Sequence, residues 1–279
     1  LWPAVGRLSS QSLSTDASFK VLSYNLSFFK IPSVFSKPYF DPLSAEKGNQ
    51  MIDWILQTNA PVICLQEFFN DTESPHHDYL ERFHQFGYTS HFQAVINPKN
   101  ETLRGIVTVS RFPVVSKGEV FMSDNRYNGA SFMDVLYGGD TVRIINVHLE
   151  SMELYFGNKG WKQRVTFFLT QFKKTMITRT QQTRKLAKFI RASPYPVIVA
   201  GDFNETPFSY NHRVIKKLLA NSFEESGEGL GSTFAKSILP VRIDHHYFGP
   251  EFDVGNFTVG HSISLSDHYP VYADYTLRK

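Results

Sequence analysis

Eight residues spread along the chain carry side chains suited to metal-assisted chemistry: Asn25, Glu67, His148, Asp202, Asn204, Asp244, Asp267 and His268. The four carboxylates are hard oxygen donors and the two amides are neutral ones. Such a set suits Mg2+ or Mn2+, which prefer carboxylate, carbonyl and water ligands and keep waters that a phosphate can displace. Zinc fits less well. The single cysteine, Cys64, excludes a cysteine-based site, and the histidines lack ligand spacing such as HExxH. His148 and His268 add imidazoles whose proton affinity rises beside an aspartate, and His148 can donate to a phosphoryl oxygen that gains charge in the transition state. Together these groups fit metal-assisted hydrolysis of a phosphate ester.

Each residue alone also has a plain structural reading. In VIVAGDFNETP, Asp202 and Asn204 can shape a turn after a buried strand; His148 can be a satisfied strand histidine, SDH an N-cap and RID a surface acid. What links them is a recurring pattern in which an apolar run delivers a polar residue at its end. FKVLSYNLSF reads as a strand ending close to Asn25, PVICLQE as one ending on Glu67, TVRIINVHLE as one carrying His148, and VIVAGD as one ending on Asp202.

The elements that must position these residues follow from the same periodicity. GIVTVS (105–110), KGEVFM and SFMDVLY add strands, with turn chemistry at Gly138, Gly139 and Asp140, and RIDHHYF and HYPVYADY close the chain. Helices are expected from about Ser44 to Thr58, from Ser74 and Pro75 to Gly87, from about Lys173 to Ala192 and from about Tyr210 to Ala220. About ten strands with four helices predict an α/β fold: a layered sandwich of two stacked mixed sheets flanked by helices. One edge of that sandwich would gather the candidate residues.

Length and composition fit a packed globular protein: 279 residues, 42% hydrophobic and 20% charged, with 25 Phe and 13 Tyr. The formal charge of +3 is too small to name a polyanionic partner. Its distribution says more, because Lys159 to Arg191 holds ten Lys or Arg and no Asp or Glu. That segment is either the solvated face of a helix or a docking strip for an anionic substrate or lipid surface. Cys64 lies in an apolar run and reads as a small buried hydrophobe. Residues 1–18 are Ser-rich and read as a linker from an upstream segment, followed by one domain over 19–279. The chain begins with Leu, so a membrane anchor upstream of Leu1 is compatible with it. The five Asn-x-Ser/Thr sequons are read as chance matches, since those at Asn25 and Asn204 fall on candidate site residues.

The ordered series YNLSF, ICLQE, NVHLES, VAGDFN, RIDHHYF and LSDHYPV resembles that of the endonuclease/exonuclease/phosphatase superfamily, the DNase I-like, metal-dependent phosphoesterases. The likeness covers about Phe19 to Tyr275. It implies that Asn25 and Glu67 hold a catalytic Mg2+, with Mn2+ as a possible substitute and Asp267 near or on the metal. It implies that Asp202 positions or deprotonates the attacking water while Asn204 fixes its geometry and touches the phosphate. His148 would bind the scissile phosphate or protonate an oxygen, and Asp244 would pair with His268, which contacts the phosphate; the choice of Asp202 or His268 as base stays open.

Two departures and two substrate hints accompany the resemblance. His245 and His246 stand where many relatives carry an aromatic and an aliphatic residue, and they read as a surface pair rather than extra ligands. The Trp- and Cys-containing signature of inositol polyphosphate 5-phosphatases is absent, which counts against a phosphomonoesterase of that branch. HLES resembles the motif of second-type tyrosyl-DNA phosphodiesterases, with related motifs in sphingomyelinases and deadenylases, so the expected substrate is a phosphodiester of nucleic acid or of a phospholipid head group. The aromatics of SFFKIPSVFSKPYF (27–40), Phe35 and Tyr39 among them, read as core cover or as an apolar wall for the leaving group. A binding module with a dead site is disfavoured by the presence of every expected acid and both histidines, and no GxSxG elbow supports a metal-independent nucleophile.

Overall fold

A computed structural model describes residues 18–30, 42–96, 102–123, 127–152 and 161–278. In chain order the first half forms β1 (Ser18–Asn25), α1 (Pro42–Gln57), β2 (Val62–Asn70), α2 (Tyr79–Gln85), β3 (Thr89–Ile96), β4 (Leu103–Ser110), β5 (Val114–Met122), β6 (Gly129–Tyr137) and β7 (Asp140–His148). The second half forms α3 (Trp161–Arg191), β8 (Val197–Asp202), α4 (Tyr210–Lys216), β9 (Ala220–Asn221), α5 (Ser222–Ser226), β10 (Asp244–Phe248), β11 (Phe252–Val259) and β12 (Val271–Leu277). One six-stranded sheet has the order β11-β12-β1-β2-β4-β3, and the other β5-β6-β7-β8-β10-β9. Each is mixed: β1 runs parallel to β2 and β7 parallel to β8, and the remaining pairs are antiparallel.

Strand alternation builds the layers. Phe19 and Val21 of β1, Val62 and Cys64 of β2, Val142 and Ile144 of β7, and Ile198 and Ala200 of β8 meet in one core between the sheets. The opposite-parity residues face outward. Leu22, Tyr24, Ile63 and Leu65 pack with Met51 and Ile55 of α1 and Phe83 of α2, while Ile145, Val147, Val197 and Val199 pack with Leu186 and Ile190 of α3 and Ile215 of α4. The result is helix, sheet, sheet, helix. Cys64 is fully buried, as expected, and burial pushes its thiol up to about 12.

Several boundaries differ from the sequence expectation. The second helix starts at Tyr79 with Asp78 as its cap, not at Ser74. Ser74 is instead spent in a turn, its carbonyl accepting from His77 and Asp78 and its hydroxyl bonded to His77 Nδ1. The long helix begins at Trp161 rather than Lys173, and α4 ends at Lys216 rather than Ala220. The strands β3, β9 and β11 and the short α5 were not expected.

His245 and His246 are buried, which corrects the reading of a surface pair. β10 has both faces covered, so its two parities enter two different cores. His245 Nε2 lies 2.8 Å from Glu205 O, and His246 Nδ1 lies 3.1 Å from the Tyr275 hydroxyl. Phe35 and Tyr39, like residues 1–17, lie outside the described residues.

Candidate active site

Parity also sets the site. The inward positions that hold apolar residues in mid-strand hold polar ones at a single edge: Asn25 ends β1, His148 ends β7, Asp202 ends β8 and Asp244 begins the antiparallel β10. His148 pairs with Asp202 in the parallel β7–β8 ladder, and Asp202 pairs with Asp244 across β8–β10. Register alone therefore brings three of these groups into one row.

Glu67 breaks the alternation, because its parity would send it outward with Leu65. A β-bulge between Leu65 and Phe68 and a left-handed φ of 47° at Glu67 turn it back to the edge. Its Oε1 accepts from Asn25 Nδ2 at 3.2 Å. Asn204 has a similar φ of 49°, and its backbone N–H bonds Asp202 Oδ1 at 2.7 Å. Two left-handed non-glycine residues in one cluster mark strain of the kind held at functional sites. Gly201 supplies a third special position. Its φ is 151°, and a Cβ there would lie 1.9 Å from Val147 O, so only glycine lets β8 approach β7 this closely.

The contacts converge on Asp202. Its Oδ2 accepts from Asn25 Nδ2 at 3.0 Å and from Asn204 Nδ2 at 3.3 Å, and it stands 3.7 Å from His148 Nε2 and 3.8 Å from His268 Nε2. His148 is buried, sits 3.7 Å from Glu67 Oε1 as well, and has no hydrogen-bond partner among the described residues at either ring nitrogen. Asp244 Oδ2 is 3.0 Å from His268 Nδ1. Burial opposes charge on His268, but the carboxylates of Asp244 and Asp202 together outweigh it and push the imidazole up to about 10.

Asp267 stands at the margin. Its Oδ2 is paired at 2.6 Å with the exposed Lys236, and although burial works the other way, Lys236 and His268 hold this carboxyl below its ordinary value. Ser266 Oγ donates to Asn25 O at 2.8 Å and ties the SDH turn to the end of β1. All eight expected residues thus lie along this edge.

The donor chemistry fits a hard divalent cation: the Glu67 and Asp202 carboxylates share one amide beside a buried imidazole that has no hydrogen-bond partner among the described residues. Asp202, Asp244 and His268 also bring ligand atoms within 4.8 Å of one another. That trio is the poorer metal site, because Asp244 and His268 are already spent on each other.

Sequence reasoning passed over Gln66, Asn146 and Arg179. Gln66 and Asn146 are polar residues inside apolar strand runs, which was the available signal. Arg179 is buried, with Nε donating to Glu150 O at 2.6 Å and an Nη1 atom 3.6 Å from Glu205 Oε1, and it braces the strand-end loops that carry Leu149 and Asn204.

Comparison with known proteins shows the family and the fold. The family model described as endonuclease/exonuclease/phosphatase family matches residues 22–268. No curated protein sequence matches significantly. Among solved structures, the fold is similar to an endonuclease/exonuclease/phosphatase from Beutenbergia cavernae DSM 12333, with 18% identity, TM-score 0.63 and coverage of 94% of this chain and 72% of that one. It is similar to the human Nocturnin catalytic domain, with 16% identity, TM-score 0.65 and coverage of 93% and 94%. It is also similar to truncated TDP2 from Caenorhabditis elegans, with 16% identity, TM-score 0.64 and coverage of 93% and 97%. With the matched segment running from β1 to the SDH turn, the chain belongs to the endonuclease/exonuclease/phosphatase family and is a phosphoesterase hydrolase.

Proposed function

We propose that the chain hydrolyses a phosphodiester by in-line attack of water, with Mg2+ as cofactor and Mn2+ as a substitute. The observation that supports this reading best is the convergence of Asn25, His148 and His268 on Asp202, with Glu67 in reach of the same groups. Glu67 and Asn25 would hold the ion, joined by Asp267 if Lys236 releases it. When bound, Mg2+ neutralises phosphoryl oxygens and orients the ester.

The chain's own groups divide the remaining work. Asp202, held by the Asn204 N–H, orients the attacking water and takes its proton. His148, whose ring nitrogens have no hydrogen-bond partner among the described residues, donates to a phosphoryl oxygen as charge develops there. His268, held by Asp244, contributes positive charge on the other side of Asp202.

The test is hydrolysis of bis-p-nitrophenyl phosphate, single-stranded DNA, a 5′-tyrosyl oligonucleotide and sphingomyelin with Mg2+, with Mn2+ and with EDTA. The expected result is cleavage of a diester with Mg2+ that EDTA and Asp202→Asn abolish. Full activity in EDTA would overturn the metal requirement, and cleavage of p-nitrophenyl phosphate alone would make the enzyme a phosphomonoesterase.

A further inference from the structure

Helix α3 carries apolar residues on one face toward both ends, separated by the buried polar residues Thr175, Arg179, Gln182 and Thr183, but buries only the C-terminal group. That group is Leu186, Ala187 and Ile190, packed into the core over β7 and β8. The N-terminal group forms a stripe at helical spacing, Trp161, Val165, Phe168, Leu169 and Phe172, all exposed, with Trp161 at 73% and Leu169 at 59%. From Trp161 to Lys174 no described side chain is buried.

The place where burial ends is informative. Arg179 and Gln182 bond Glu150, which follows the end of β7 at His148, and Arg179 also reaches Glu205, which follows Asn204. Those contacts fix Arg179 at the level of the catalytic edge. Toward its N-terminus the helix runs on for about 27 Å, at 1.5 Å per residue from Trp161 to Thr178. The exposed stripe therefore overhangs the same edge that carries Asp202 and His148.

We propose that this overhang docks on an anionic phospholipid surface and sets the catalytic edge facing it. Charge complementarity names the occupant: Trp161 to Lys174 holds four Lys or Arg and no acid, and at helical spacing Arg164 and Lys173 border the stripe on its two sides, where their heads meet lipid phosphates while the apolar side chains enter the acyl boundary. A second copy is a poorer occupant, since apposed stripes would bring like charges together. Nucleic acid is poorer too, because Phe168 and Phe172 are stacked on each other and the aliphatic Val165 and Leu169 separate them from Trp161, which leaves no row of free rings for successive bases. Among the described residues no helix is long and apolar enough to cross a membrane, so the mode is interfacial. The inference does not depend on which phosphate ester is cleaved.

The test is flotation of the full chain with vesicles of phosphatidylcholine alone and with about one third phosphatidylserine, alongside the fluorescence of exposed Trp161. The wild type should float with the anionic vesicles, weaken at high salt and show a blue-shifted Trp161 emission that a Trp161→Phe variant lacks. Phe168→Glu with Phe172→Glu, both at exposed positions, should cut vesicle binding at least tenfold and leave hydrolysis of soluble bis-p-nitrophenyl phosphate unchanged. No wild-type binding to either vesicle, or equal binding by the double variant, would overturn the proposal. So would a dimer, or a complex with single-stranded DNA, that the double variant abolishes without any vesicle binding. Loss of soluble hydrolysis in the wild type would instead count against the proposed activity and leave this inference standing.

Discussion

Gln66 of β2 and Asn146 of β7 are hydrogen-bonded to each other across the space between the two sheets, Nε2 to Oδ1, at 2.7 Å. Gln66 adjoins Glu67 and Asn146 lies two residues before His148. Asn146 also donates to Leu65 O and Val107 O, and Gln66 is bonded to Cys64 O and Ser23. This polar latch in an otherwise apolar layer fixes how one sheet sits on the other just beneath the site. Replacing Asn146 with Leu leaves buried acceptors unpaired, so urea unfolding should show a loss of about 2–4 kcal/mol. Hydrolysis should fall more than the unfolded fraction explains. A variant of unchanged stability would mean the latch is not structural.

Asp202→Asn keeps the shape of the side chain and removes its charge, so the fold should persist while kcat drops by about 10²–10⁴-fold. Glu67→Ala should weaken Mg2+ binding, read by calorimetry, with little effect on the melting temperature, since Glu67 is part-exposed and sits at a bulge. Retention of wild-type metal affinity by Glu67→Ala would remove it from the metal site.

At Gly201 a methyl group would collide with Val147 O at 1.9 Å, and the φ of 151° disfavours any L side chain. Gly201→Ala should therefore cost about 3 kcal/mol or more in thermal unfolding. Because Asp202 is the next residue, activity should fall with it. A melting temperature within a degree of wild type would show that β7 and β8 can separate cheaply.

Burial holds His246 down to about 3 and His245 well below its ordinary value, so both stay neutral in the fold. The unfolded chain titrates them near 6.5, so it binds more protons than the fold below that pH. For His246, stability is full above about pH 7 and is lost as pH falls toward 3, by about 2 kcal/mol at pH 5, and His245 adds a loss of the same sign. Urea unfolding at pH 7.5 and pH 5 should show His246→Gln losing about 2 kcal/mol less than wild type between the two. Equal losses would show that His246 is protonated in the fold.

Much of this was legible in the sequence because buried strands state their parity plainly. ICLQE, INVH and VAGD are apolar runs whose polar ends needed a common edge, and the α/β sandwich follows from such runs with helices between them. The bulge at Glu67 was not legible, since its residue types look like any continuing strand. TSHFQAVI and FDVGNFTV mix polar and apolar residues without clean alternation, which hid β3 and β11. The first half of α3 was missed although Trp161, Val165, Phe168, Leu169 and Phe172 recur at helical spacing, because those five stay exposed and the expected helix was confined to the stretch that joins the core. His245 and His246 misled because a histidine pair reads as solvent-facing until β10 is known to be covered on both sides.

The pairing of β1 with β12 has a consequence for how the protein comes into being. The strand that delivers Asn25 is made long before the strand beside it and the SDH turn that anchors it. During vectorial synthesis the growing polypeptide holds Glu67, His148 and Asp202 long before the closing strand arrives, yet Asn25 lacks its neighbour until then. Full support of Asn25 is thus a late event of synthesis, reached when β12 and the SDH turn close on β1.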